Sequence, residues 1–162
     1  MKILVQQQKA LNMLDIAAKF VSKNSTLPIL QNIYLKASID SLLIRATDME
    51  KYVEIEIPCE VQIEGAITIN AKTFLDILKT IESGNIELSV DQKTNIMTIK
   101  TPKDTFDING IAASEYVALP EVPQENSFIL DTLAFSKGID HVEYAVTEKS
   151  FSPVLTGVLM KT

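Results

Sequence analysis

The chain has 162 residues, 46% hydrophobic and 22% charged, a composition that suits a folded protein with a sizeable core. No uncharged apolar run approaches the ~18 residues of a membrane span, and the start, Met1-Lys2-Ile3-Leu4-Val5-Gln6, turns polar too early for a signal peptide, so no membrane is expected and the cytoplasm is the default location. The formal net charge of −6 speaks against a conventional DNA-binding domain, which is usually basic overall.

Residues 1–5 read as a short apolar strand and residues 8–23 as a helix. Ala10, Leu11, Leu14, Ala17, Ala18 and Val21 share one face of that helix, while Lys9, Lys19 and Lys23 fall within roughly 80° on another. Ile16 and Phe20 intrude on the lysine arc. Asn24 to Pro28 breaks the helix. Strands are expected at 33–37, 42–47, 51–58 and 67–69. In the third of these Val53, Ile55 and Ile57 alternate with Glu54 and Glu56, which marks one buried and one acidic, solvated side. Six acids stand against Lys51 alone between Asp48 and Glu64, so five of the six net negative charges lie in that segment. With no partner acid or base to tune them, these glutamates read as a solvated sheet surface rather than a catalytic pair.

A second helix is expected over 71–82, with Asn70 as its N-cap and Phe74, Ile77, Leu78 and Ile81 buried. Lys72 and Lys79 stand on its opposite side, within roughly 20° of one another. Ser83-Gly84-Asn85 ends it, and strands follow around 86–90, 96–100 and 106–108. The order defines an α+β fold, with two helices packed on one face of mostly antiparallel sheet. Pro120 and Pro123 then punctuate a polar linker, residues 121–126, before a strand at 127–130 and a helix from an Asp131 cap to about Val146.

An internal repeat organises the whole. Pro28 and Pro153, Leu30 and Leu155, and Lys36 and Lys161 all stand 125 residues apart. The same offset lays Leu14, Ala17 and Val21 on Ile139, Val142 and Val146, and Ile3, Leu4 and Val5 on Phe128, Ile129 and Leu130. Strand, helix face and strand repeat at one offset without a gap, which is a domain-sized repeat. Residues 1–120 make one complete domain, and 127–162 read as the truncated start of a second, so a fragment of a longer array is expected.

Several signatures now resemble one family, the bacterial sliding clamps that are the beta subunits of DNA polymerase III. They are Thr26-Leu27-Pro28-Ile29-Leu30-Gln31-Asn32, Thr47-Asp48-Met49-Glu50, Asn70-Ala71-Lys72-Thr73-Phe74, Ser114-Glu115-Tyr116-Val117-Ala118-Leu119-Pro120 and Pro153-Val154-Leu155-Thr156-Gly157. The resemblance runs in colinear order along all 162 residues. It implies the DNA-clamp fold: a three-domain subunit that pairs head to tail into a homodimer ring around double-stranded DNA. Helices line the hole, and the ring tethers the replicative polymerase. The implied partners are duplex DNA, the DNA polymerase III alpha subunit and the clamp loader. No cofactor, metal or catalytic site is implied.

Carried over residue by residue, the resemblance places Lys23, Asn24, Lys72, Lys149, Pro153 and Val154 at DNA-binding positions. It places Phe106 and Ile108 at the subunit interface, where pattern alone reads ordinary core, and Leu155 at a groove for partner peptides. Asn24, Ser152 and Val117 depart from the family's common arginine, arginine and proline. Acidic residues outnumber lysines across the third helix, which leaves room for an acidic interaction scaffold of clamp fold that does not encircle DNA. An enzyme finds no support: Cys59 and His141 are the only residues of their kinds, and no Gly-rich phosphate loop is present. The −6 charge therefore no longer excludes DNA, because the acids concentrate in 48–64 while the helices carry lysines.

Overall fold

In the computed structural model, described for residues 1–22, 25–82, 84–118, 129–147 and 150–161, the chain divides into two units, Met1–Leu119 and Pro120–Thr162. The first unit begins with strand β1 (Lys2–Gln6), which leads directly into helix α1 (Gln7–Ala17). Ala10, Leu14 and Ala17 are buried on one side of α1, with Leu11, Ala18 and Val21 packed more shallowly. The helix is shorter than its periodicity suggests, because hydrogen bonds from Lys19 N to Ile16 O and Phe20 N to Ala17 O tighten the chain after Ala17. Ser22 N then bonds Leu30 O in the short turn Pro28–Gln31, so Lys19 lies beyond the helix.

Strands β2 (Asn32–Ser38), β3 (Ser41–Thr47), β4 (Tyr52–Pro58), β5 (Glu60–Ile63) and β6 (Gly65–Asn70) follow, then helix α2 (Ala71–Thr80) and strands β7 (Asn85–Asp91), β8 (Ile96–Lys100) and β9 (Thr105–Asn109). They form two antiparallel sheets, ordered β5-β1-β7-β8-β9 and β4-β3-β2-β6. The single sheet expected from the pattern is thus two. The short β5, which the pattern does not reveal, pairs with β1. Register is set by alternation: Ile44 faces Ile55 and Leu35 faces Ile67 across the second sheet, Leu88 faces Ile99 across the first.

One apolar core draws on both sheets and both helices, with Ile3, Ile33, Leu35, Ile44, Ile69, Phe74, Leu78, Leu88 and Met97 fully buried. α1 packs on α2, β3 and β4, and α2 on β6 and β9. A buried Gln7 side chain donates from Nε2 to Leu78 O at 2.8 Å, filling an orphan carbonyl near the end of α2 and tying the two helices together.

The tight turn between β2 and β3 holds Ile39 at φ 56 and 83% exposed. A β-branched residue in the left-handed region costs about 1–2 kcal/mol. Ile39→Gly relieves that strain and is expected to raise stability by about 1 kcal/mol in urea unfolding, less what glycine gives back in chain entropy.

The second unit starts helix α3 (Thr132–Asp140) on an Asp131 cap, whose carboxylate accepts from Ala134 N at 2.8 Å. α3 ends before the expected Val146, and a separate short turn covers Glu143–Ala145. The 125-residue offset recurs in structure: α1 and α3 start at Gln7 and Thr132, and the turns Pro28–Gln31 and Pro153–Thr156 match residue for residue. Ile129 and Leu130 are not in a strand; residues 121–128, with the expected linker, lie outside those described. No described residue of this unit is buried.

Candidate nucleic-acid interface

Asn70 closes β6 and caps α2: its Oδ1 accepts from Thr73 N at 3.0 Å and from Thr73 Oγ1 at 3.1 Å. That cap fixes where the first turn of α2 begins, and burial of Phe74 and Leu78 fixes which side turns inward. Lys72 is thereby held on the outer side, its side chain 86% exposed. It borders a cleft whose lining also includes Ala18, Val21 and Ser22 after α1, Gln31, and Asn70, Ala71 and Leu75 of the β6–α2 corner. The end of α1 and the start of α2 therefore meet where a lysine is presented.

The lysines there are not bare. Lys72 Nζ lies 2.8 Å from Asp76 Oδ2, one turn along, and Lys19 Nζ lies 3.7 Å from Asp15 Oδ2. The side-chain hydrogen bond to Asp76 raises the pKa of Lys72, and the same bond holds Asp76 below its ordinary value, with the charges of Lys72 and Lys79 adding to it. Lys9 and Lys79 are also exposed. Lys23, Asn24 and Lys149 lie outside the described residues. Pro153 and Val154 stand in the short turn of the second unit, with Val154 81% exposed. Leu155 follows in that turn and lines a shallow apolar depression with Val142, Val146, Val158 and Leu159.

β9 is an edge strand, bonded to β8 on one side only among the described residues. Phe106 and Ile108 point inward from it: Ile108 is buried and Phe106 half-buried against the core, while Thr105, Asp107 and Asn109 face out. Any pairing along this edge would use the strand's backbone, with those two side chains shaping it from behind.

The acidic segment has structural partners. Asp48 accepts from Lys51 N at 2.8 Å and Glu50 N at 3.0 Å, closing the β3–β4 turn, and the Lys51 bond leads in lowering its pKa. Arg45 pairs across the sheet with Glu54, and Ser41 Oγ donates to Glu56. Cys59 is half-buried, and burial followed by the nearby Asp40 charge pushes its thiol pKa up, away from nucleophilic use. No group of three or more His, Cys, Asp or Glu side chains could hold a metal among the described residues.

In the sequence Tyr116 stands out only as part of a motif. Its hydroxyl donates to Asn32 O at 3.3 Å, and its ring lies 5.6 Å from that of Tyr34, over which Arg45 sits at 5.7 Å. Burial pushes its pKa up to about 12, opposed by the Thr47 backbone. Tyr116 thus pins the stretch leaving the first unit to the second sheet. Nothing in the local pattern signals this, because its partners are dozens of residues away.

A domain that sets two adjacent helices and their lysines against paired antiparallel sheets is of the sliding-clamp type. Residues 1–120 match the family described as DNA polymerase III beta subunit, N-terminal domain, and the chain belongs to that family. The beta sliding clamp of Bacillus subtilis is 30% identical over 169 residues, covering 99% of this chain and 44% of the relative. The crystal structure of the sliding clamp from Bacillus subtilis superposes with a TM-score of 0.88 at 27% identity, covering 97% of this chain and 43% of that one. The Helicobacter pylori beta clamp bound to DNA ligase peptide gives 0.85 at 24% identity, covering 94% of this chain and 42% of that one, and shows the shared fold. The chain spans less than half the length of these relatives.

Proposed function

We propose that this chain is the opening portion of a sliding clamp, a non-enzymatic processivity factor that encircles duplex DNA without reading its sequence and tethers the replicative polymerase. The supporting observation is the Asn70-capped start of α2, which holds Lys72 exposed beside the end of α1 in a chain of this family. Phosphate contacts are sequence-independent and suit exposed lysines on rigid helices. In this reading Lys23, Asn24, Lys72, Lys149, Pro153 and Val154 meet DNA. The free edge of β9, backed by Phe106 and Ile108, meets a second subunit of a homodimer ring. Leu155 belongs to a groove for peptides of the DNA polymerase III alpha subunit, the clamp loader and other partners. The protein works in the bacterial cytoplasm without a cofactor. Residues 1–120 form its first domain, and 127–162, after a linker at 121–126, begin its second.

The test is fluorescence anisotropy of the chain with two labelled duplexes of unrelated sequence across a salt series. The reading predicts the same affinity for both, falling on a log–log plot by about 0.9 per phosphate contact. A preference for one sequence contradicts it, and no binding to either at the lowest salt contradicts it in favour of the acidic scaffold.

A further inference from the structure

We propose that Asp76 and Asp15 are positioning residues that weaken and steer the grip of this helical surface on DNA phosphate, each by engaging one of its lysines. The proposal rests on the reading of that surface as a DNA interface. Asp76 holds Lys72 at 2.8 Å and Asp15 reaches Lys19 at 3.7 Å, in pairs whose four side chains are all at least half exposed.

Helix stability does not explain the placement. Lys72 is the second residue of α2, where the positive end of the helix dipole disfavours a cation. Asp15 is in the last turn of α1, where the negative end disfavours an anion. In the α2 pair Lys72 also comes four residues before its acid, the less favourable order for a helical pair, whereas Asp15 and Lys19 stand in the favourable order. Lys72 and Asp15 stand where they cost the helices a little, and the corner where α1 ends and α2 begins is bordered by Lys72 and by Ala18, the residue before Lys19.

Their effect on an incoming phosphate follows from charge. An exposed ion pair opens at small cost, so phosphate can take the ammonium from the carboxylate. The carboxylate stays within one helical turn, repels the phosphate and recaptures the lysine when the phosphate moves on. The lysine is handed between partners rather than locked to one, which suits a surface that must hold duplex DNA and let it slide.

The experiment measures the affinity of the 162-residue chain for a labelled duplex across a salt series, with Asp76→Asn, Asp15→Asn, Asp76→Glu, Lys72→Met and the double variant Lys72→Met with Asp76→Asn. Asp76→Asn and Asp15→Asn should each tighten low-salt binding by about threefold, the scale of an exposed charge pair, with the gain shrinking as salt rises. Asp76→Glu should match the wild type. In the Lys72→Met background, Asp76→Asn should gain much less. Unchanged affinity in Asp76→Asn, or an equal gain with and without Lys72, overturns the proposal while leaving the DNA reading standing. Wild-type chain that binds no duplex at the lowest salt overturns both.

Discussion

Truncating Phe74 to alanine is expected to cost about 3–5 kcal/mol, the range for a fully buried phenylalanine replaced in a rigid core. Phe74 is the largest side chain with no solvent exposure among the described residues, and its helix packs on a strand of each sheet, β6 and β9. A domain of this size has about 5–15 kcal/mol to lose, so the variant should show a much lower urea midpoint or no cooperative transition. Lys72 stands two residues before Phe74 on the same helix, so the loss also disturbs the surface proposed to face DNA. A change below about 1 kcal/mol would contradict the packing of α2.

Gly110→Ala carries the second large effect, for a different reason. A Cβ there would lie 2.7 Å from Thr68 O and within 2.8 Å of the Ile67 and Ile69 Cδ1 atoms. The isoleucine tips can rotate, but the carbonyl is held by Ile111 N at 2.9 Å in a bridge that Thr68 N returns to Ile111 O at 3.0 Å. Relief must come from lifting residues 110–111 off the edge of β6. The expected cost is about 1–3 kcal/mol, with chymotryptic cleavage at Tyr116 accelerated as its anchorage loosens. Wild-type stability together with wild-type cleavage would show that this stretch is not fastened as described.

How much was legible depends on the range of the interaction. α2 was visible because its signals are local: Asn70 caps three residues ahead and Phe74, Leu78 repeat at the helical period. The sequence overstates the length of α1, because Ala18 and Val21 continue its apolar period while tight turns and the Ser22–Leu30 bond divert the backbone. β5 carries no local signal, because its Ile63 is 58% exposed and its partner β1 is some sixty residues earlier. The division into two sheets and the docking of Tyr116 are long-range in the same way.

The site divides along the same line. Periodicity put Lys72 on the outer side of α2, and the structure holds it there. It also read Phe106 and Ile108 as core; the structure agrees for the side chains and adds that their strand is an edge, which only pairing can reveal. The resemblance to the beta-subunit family, carried by scattered short motifs, is borne out by the match over residues 1–120. The partnership of Asp76 with Lys72 was present in the spacing, yet only the side-chain geometry shows it made.

The most direct test of the clamp reading is retention on DNA. The gene product that carries these residues would be loaded by a clamp loader onto nicked circular DNA, and its release followed before and after the circle is linearised. Topological encirclement predicts long retention on the circle, tolerant of high salt, and rapid loss from the free ends after cutting. Equal release from circular and linear DNA would contradict it, leaving the lysines of α1 and α2 as an ordinary electrostatic surface.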